Sequence, residues 1–539
     1  MKKLFTLVFL CLFALNASAQ ELGEFNTNFG TDGTFLFEPS KAHDYMEKIL
    51  VQEDGKIITV GRARVDGMNY SIYVSRHNED GTLDDMYGGG GYVFLKVDPL
   101  IYMNRAYDAD LGEDGNLYIA GYTYDYTNNT AFVICLDENG FENEDYGDKG
   151  YVVSEYGGGI VYTSIDVDSK GRAVVAGYIN DQILVTRYNA KGKLDQTFGV
   201  EGTVIVNLGE NYYGNAFDVK VEESGKIVVV GDIFKAVEGG TLYYSCIMRL
   251  KSNGDLDNTF ADNGVLFIYA GEYAEYGMSL SIQADGKYLV GGHDELFSET
   301  PELPRYESFI VRVNADGTID ETFGTNGFVK FEPFEGDGCT NSCDIILAAP
   351  DGQIFGAIYS YNFVTSASRS YVYNLDANGQ LKEDFAGSGI AALPKYADDE
   401  SESQAAALAL KDNKNLLVGG QIAVEDGYNM QLFISEINVD VKVDDEGNEG
   451  NEDDTTSVVG NYENRFNIHP NPATTTISIE GGLNDNAQVS IIDLTGRCVK
   501  EVEISGAVST INIEDVESGI YFISVKQNDN NFVEKLVVK

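Results

Sequence analysis

A chain of 539 residues is too long for one ordinary core, so it must divide into domains or be built from repeats. With 86 acidic against 37 basic residues and a net charge of −49, it repels phosphate backbones and anionic headgroups, which argues against nucleic acid as a partner. No segment after the N-terminal one is apolar enough to span a bilayer.

The first predicted element is a leader. Lys2 and Lys3 precede an apolar run from Leu4 to Leu15, and Ala17-Ser18-Ala19 supplies the small residues that signal peptidase needs. Residues 1–19 therefore read as a secretory signal with Gln20 as the mature start, and the run is too short for a membrane anchor. Of the cysteines left after its removal, Cys339 and Cys343 are expected to flank a short loop where they could bridge in an oxidising compartment. Cys135, Cys246 and Cys498 read as isolated buried thiols.

Residues 20–439 repeat. An aromatic residue followed four positions later by glycine occurs at Phe29/Gly33, Tyr87/Gly91, Tyr146/Gly150, Phe198/Gly202, Phe260/Gly264, Phe323/Gly327 and Phe385/Gly389. Between these anchors lie turn pairs such as Asp54-Gly55 and Asp114-Gly115, and a further turn such as Asp80-Gly81 precedes each later anchor. Glycine and asparagine tolerate the positive φ of such hairpin turns. The turns cut each unit into four short strands, for example Ala216 to Glu222, Lys226 to Ile233, Tyr244 to Leu250 and Val265 to Tyr269, which is one propeller blade. The last unit lacks a fourth strand, whereas Thr34 to Glu38 precedes any first strand. The prediction is therefore an all-β chain with a seven-bladed β-propeller closed by its N-terminal strand.

Comparison of the units exposes a covarying pair. Arginine interrupts the apolar third strand at Arg76, Arg187, Arg249 and Arg312, and eight residues later stand Asp84, Asp195, Asp257 and Asp320. Elsewhere both are replaced together, by Cys135 with Asn143 and by Asn374 with Lys382. These are expected to be buried structural pairs inside the blades. The anchor aromatics are expected to pack between blades.

In a four-strand meander the tight turns fall on one face and the longer loops on the other. The loops Tyr122 to Thr130, Asp232 to Tyr243 and His293 to Tyr306, with the links between blades, place Tyr124, Tyr126, Tyr212, Tyr213, Tyr273 and Tyr276 as candidate ligand contacts. No catalytic motif, metal-ligand spacing or cofactor fingerprint occurs. His43, His77, His293 and His469 are scattered singly and read as surface residues. Asp108, Asp110, Glu113 and Asp114 come nearest to a calcium loop, but they alternate along a strand and face different ways.

From Asp440 the composition turns to Asp, Glu, Gly and Asn, so 440–463 reads as an acidic linker. Short alternating strands in 464–539 suggest a small immunoglobulin-like β-sandwich.

Two resemblances follow. The run Arg312-Val313-Asn314-Ala315-Asp316-Gly317-Thr318-Ile319-Asp320-Glu321-Thr322-Phe323-Gly324-Thr325-Asn326-Gly327 resembles the delta-60 propeller repeat, which carries no activity to transfer. The C-terminal motifs are Pro470-Asn471-Pro472, Asp493 with Gly496-Arg497, Gly519 with Tyr521, and terminal Lys539. In that order they resemble the type A C-terminal sorting domain of the type IX secretion system of Bacteroidetes. That resemblance implies recognition by the secretion machinery, removal of the domain at the outer membrane, and a cell-surface or released product. The expected function is recognition of an extracellular glycan or protein. The alternatives are a polysaccharide-active enzyme with carboxylates near the central channel, and a purely structural surface protein.

Overall fold

The computed structural model describes residues 21–442 except 67–68, 98–102, 155–158, 210, 238–239, 271–274, 301–302, 394–402 and 424–429. It also describes 467–538 except 470–472, 474, 481–486, 494–496, 505–507, 514–515, 517–518 and 528–529. The chain forms two compact units, Met1–Glu446 and Gly447–Lys539.

In the first unit the described residues form seven sets of four antiparallel strands. Their first strands are Asp44–Val51, Met103–Leu111, Ile160–Val167, Tyr212–Val221, Glu275–Ile282, Cys339–Ala348 and Ser403–Asp412, which define blades 1 to 7. Single parallel bridges, Tyr70 with Met103 and Tyr306 with Thr340, join blade 1 to blade 2 and blade 5 to blade 6. First strands touch one another in cyclic order, blade 7 to blade 1 included, so they surround a central channel.

Blade 7 takes its fourth strand from the N-terminus: Thr34–Phe37 runs antiparallel to Met430–Asn438, with Thr34 opposite Ser435 and Phe37 opposite Leu432. Every seam has the same backbone bond. The amide after the anchor aromatic donates to a carbonyl in the hairpin turn of the next blade, as in Gly88 to Asn139 (2.9 Å), Gly199 to Asn253 (2.8 Å) and Gly324 to Asn378 (2.8 Å). At the two seams of blade 7 the N-terminal segment takes part, through Ala386 to Leu22 (2.8 Å) and Gly30 to Asp80 (3.1 Å). The anchor rings are all buried, at most 1% exposed. Several press on the turn glycine opposite, where a Cβ at Gly81 would come within 2.7 Å of the Phe29 ring and one at Gly140 within 2.7 Å of Tyr87.

A second repeated device was not expected. First strands carry a β-bulge, with Glu47, Tyr107, Thr163, Phe217, Met278 and Ala406 as the extra residues in blades 1 to 5 and 7. The carbonyl before the bulge is driven against the second strand. A Cβ at Gly61, Gly121, Gly177, Gly231, Gly292 or Gly420 would lie within 2.1 Å of it, so those positions admit only glycine. In blade 6 the equivalent position, six residues after the turn glycine Gly352, is Ile358, and there the bulge widens to two residues, Cys343 and Asp344.

The predicted loop from Asp232 to Tyr243 is a correction. Strands Ile227–Val237 and Gly240–Leu250 continue through it in unbroken register, because its β-favouring rings Phe234, Tyr243 and Tyr244 extend the ladder.

The second unit has a three-stranded sheet (Asn467–His469, Thr476–Glu480, Val508–Asn512) and a four-stranded one (Ala487–Asp493, Cys498–Ile504, Gly519–Gln527, Asn530–Val538). Ile477, Ile479 and Ile511 from the first share one buried cluster with Val489, Ile491, Ile523, Val525 and Leu536 from the second. Alternating strands have thus built a sandwich.

Candidate functional site

The four arginine/aspartate pairs lie at the tight-turn face. Nε to Oδ2 distances are 2.8 Å for Arg76/Asp84 and 2.9 Å for each of Arg187/Asp195, Arg249/Asp257 and Arg312/Asp320. Each guanidinium also covers its own anchor ring, with Cζ 4.6 to 4.7 Å from the centroids of Tyr87, Phe198, Phe260 and Phe323. Nη1 then reaches across the seam to a carbonyl of the next blade, at Glu138, Ser252, Ala315 and Ala377. In blade 6 Gln353 bridges Asn374 and Lys382 (2.9 Å each) and donates to the Asp440 carbonyl. In blade 7 the charges are exchanged, with Glu436 at the arginine position and Lys411 bonding both Glu436 (2.7 Å) and the Glu79 carbonyl (2.6 Å). These groups clamp neighbouring blades together and leave the tight-turn face to the scaffold.

At the loop face the candidate tyrosines separate. Tyr126 stands at a loop tip, 68% exposed, beside Tyr124 (6.0 Å between centroids), whereas Tyr212 packs on Phe267 and under Lys235. Tyr273 lies outside the described residues. Tyr213 and Tyr276 belong to one longer row of rings. Tyr213 stacks on Phe234 (5.4 Å), followed by Tyr243 (6.0 Å), Tyr276 (6.1 Å), His293 (5.0 Å) and Tyr306 (5.4 Å). This row crosses from blade 4 to blade 5 because Tyr213, Phe234 and Tyr243 are in register on three strands and Tyr276 faces His293 on the next two.

The row joins a belt at the loop-face end of the channel, set by the bulges. Immediately after the second-strand glycine, or after Ile358 in blade 6, stand Arg62, Tyr122, Tyr178, Asp232, His293, Tyr359 and Gln421. They lean toward the adjoining first strands. Arg62 bonds Glu47 (2.9 Å), Tyr122 stacks on Tyr107 (5.7 Å), His293 Nδ1 meets Ser342 Oγ (3.0 Å), and Gln421 accepts from the Met46 amide (3.3 Å). Asp232 is buried, with its carboxyl raised to about 6 by burial, and its Oδ1 has no hydrogen-bond partner within the protein. Ser342 and Asp344 both approach His293 at Nδ1, so the three do not form a nucleophile relay, which needs the serine and the carboxylate on opposite ring nitrogens. Sequence reasoning passed over this belt, although its signal was there: the residue after the glycine that recurs in six of the second strands differs among the blades.

Deeper in the channel Asp108, Asp110, Asp166 and Asp218 surround Lys48 and Lys220. Each carboxylate accepts from a backbone amide of the next blade's first strand: Asp108 from Ile165 (3.1 Å), and Asp110 from Val167, Asp166 from Val221 and Asp218 from Leu280, all at 2.8 Å. They satisfy the exposed inner-strand edges of blades 3, 4 and 5. Burial, opposed by Lys220 and aided by Asp110, raises the Asp166 carboxyl to about 7. A raised carboxyl binds its proton more tightly folded than unfolded, so this group's contribution to stability falls as pH rises from about 4 to about 7. Asp166→Asn is expected to flatten that decline in melting temperature measured from pH 4 to 8; equal slopes in variant and parent would exclude the assignment.

Other expectations change. Cys339 and Cys343 sit on one extended strand, where a separation of four residues spans about 13 Å. That is too far for a bridge between them; both are free, Cys343 bonding the Tyr373 hydroxyl and Cys339 the Asn362 amide. His77 is fully buried rather than exposed. It donates from Nδ1 to the Gly81 carbonyl (3.0 Å) and accepts from the Ser75 hydroxyl (2.9 Å), and burial lowers it to about 4. His43 is half-buried, and the side chain of His469 lies outside the described residues. Among the described residues no group of three or more His, Cys, Asp or Glu could hold a metal ion, and no helix is long and apolar enough to cross a membrane.

In the C-terminal unit Tyr521 is buried in the sandwich core, Gly519 begins its strand and Arg497 is exposed. Pro470, Asn471, Pro472, Gly496 and Lys539 lie outside the described residues, as does the side chain of Asp493.

Comparison with known proteins fits this division. Residues 467–539 match a secretion system C-terminal sorting domain, and 52–85, 223–260 and 283–323 match a β-propeller domain of unknown function, DUF5122. No curated protein matches the chain. Similar solved structures include a protein of unknown function from Dyadobacter fermentans (12% identity, 76% of this chain and 99% of that one, TM-score 0.41). Others are a polysaccharide lyase, an ulvan lyase (12%, 78% and 96%, 0.44), and the β-propeller domain of the trilobed protease from Pyrococcus furiosus (10%, 74% and 96%, 0.37). At these values the likenesses say nothing about activity. The chain is thus a β-propeller with DUF5122 repeat segments, exported to the cell surface or beyond under a type IX secretion C-terminal sorting domain.

Proposed function

We propose that this exported propeller is a recognition protein whose ligand, an extracellular glycan or protein, binds at the loop-face mouth of the channel. The carrying observation is the belt: one position per blade, set by a first-strand bulge and in six of the seven blades by the preceding glycine, bears arginine, tyrosine, aspartate, histidine and glutamine among the blades. Half-buried rings beside fixed polar groups are the makings of a specific site on a rigid scaffold. The channel carboxylates favour the enzyme reading less, because backbone amides of the next blade already engage them.

Glycan and protein arrays probed with the mature chain test this. A defined class of hits is expected, with affinity lowered about ten-fold by Tyr122→Ala or Tyr276→Ala. Hits that both variants retain in full would move the site elsewhere, and a blank array would favour the structural reading.

A further inference from the structure

The belt is not uniform in charge. Arg62 and Arg64, two apart on one strand, both lie over the Tyr70 ring (5.9 and 5.0 Å), and Arg105 joins them from the first strand of blade 2. The ion pairs they make among the described residues are both to Glu47, 2.9 Å from Arg62 Nη1 and 3.5 Å from Arg105 Nε. Two of these three cations therefore share one carboxylate, in a chain of net charge −49.

Each guanidinium lies against a ring: Arg62 is 4.3 Å from the Tyr45 centroid, Arg64 is 5.0 Å from Tyr70, and Arg105 is 4.1 Å from Tyr107. Arg64 Nη2 also donates to the Tyr70 hydroxyl (2.9 Å). Rings on their flat sides hold these forks in place; Arg64 Nε is buried without a hydrogen-bond partner in the protein, and buried Arg105 Nε has only the long contact to Glu47. Guanidinium forks held in place, with the Arg64 Nε donor unmet and the Arg105 one only 3.5 Å from a shared carboxylate, suit a planar oxyanion. Beside Arg105, Tyr107 and Tyr122 stack in a half-buried pair.

We propose that this arginine-tyrosine sector is an anion subsite that takes the carboxylate of an acidic saccharide, with the sugar's C–H face on the neighbouring tyrosine rings. A uronate ring carries its carboxylate on the edge and an apolar patch on the face, which matches forks flanked by aromatic faces. This rests on the loop-face reading above and names its ligand class. The protein's overall field repels polyanions, so a preference for the acidic form must come from a local site.

The test titrates the full mature chain calorimetrically with oligogalacturonate and with its methyl ester, the same backbone without the charge. The acid is expected to bind at least about ten-fold more tightly. Arg62→Met and Arg105→Met should each remove most of that preference, Arg105→Lys should restore only part of it, and Tyr276→Ala should leave the acid-to-ester ratio unchanged. Equal affinity for acid and ester overturns the subsite. So does absence of acid binding at millimolar concentration, or a preference that survives Arg105→Met. Polyglutamate binding as tightly as the saccharide would also overturn it, pointing to an acidic peptide instead. If the ester binds as well as the acid and Tyr276→Ala weakens both, the loop-face reading stands and only the subsite falls.

Discussion

A protein lacking residues 20–40 is expected to lose its single cooperative melting transition and to elute as expanded or associated species. The segment does more than add one strand. Besides pairing Thr34–Phe37 with the last blade, it caps that blade through Gly23 to Asn438 and Asn26 to Glu436 (2.8 Å each). It also supplies one partner at each of the two blade 7 seams, Leu22 and Gly30. Phe29 and Phe37 are buried in a cluster with Met46, Ile49 and Tyr73 of blade 1 and Leu417, Leu432 and Ile434 of blade 7. Burying those two rings alone is worth roughly 3 to 6 kcal/mol, and the backbone bonds add to it. The sum is comparable with the whole stability of an ordinary domain, about 5 to 15 kcal/mol. Circular dichroism melting and size-exclusion chromatography read the outcome. A permutant that carries 21–40 behind Asp440 through an Asn-Gly turn, making blade 7 an ordinary continuous unit, should recover the transition. A truncated protein that melts like the full chain would show that the ring does not depend on this closure.

What the sequence made legible here is what turn chemistry writes into it. Asp-Gly and Asn-Gly pairs cut the chain into strands, and the surplus strand at Thr34 matched the deficit after Asn438 because strand counting needs no side-chain detail. The bulges were not legible, since an extra residue such as Glu47 or Tyr107 has no composition of its own. Their trace was the second-strand glycine, whose reason is a carbonyl on the paired first strand, distant in sequence and adjacent only once Gly231 meets Asn215. For the same reason the loop tyrosines stand out in the sequence and the belt does not. Tyr124 and Tyr126 look like loop residues and are, whereas Arg62, Tyr122 and Asp232 sit inside apolar strands and look like interruptions. Arg76 interrupts its strand in the same way but serves the scaffold. The distinction lies in recurrence: Arg76 recurs with its aspartate, while the residue after the glycine changes from blade to blade.

Removing Asp320 is expected to cost about 3 to 5 kcal/mol, because it strands a buried guanidinium rather than deleting a surface contact. Arg312 and Asp320 are 5% and 6% exposed. Oδ2 of the aspartate takes both Arg312 Nε (2.9 Å) and Lys287 Nζ (3.2 Å), and Oδ1 accepts from the Thr322 amide (3.1 Å) and hydroxyl (2.6 Å). Burial works against the charged form, yet the threonine bonds and the two cations outweigh it and hold the carboxyl at about 2. A depressed carboxyl contributes stability that is present above its unfolded pKa, near 4, and is lost as pH falls through about 2. Asp320→Ala removes four acceptor contacts and leaves Arg312 bonded to the Ala377 carbonyl over the Phe323 ring. Arg312→Met combined with Asp320→Leu should be the milder change, since apolar replacement of a buried pair is often neutral. Urea unfolding of the three proteins at pH 7, followed by tyrosine fluorescence, gives the order. A loss below about 0.5 kcal/mol for Asp320→Ala would place the pair in the class of surface ion pairs. A double variant worse than the single one would show that the reach across the seam, rather than charge compensation, is what the arginine supplies.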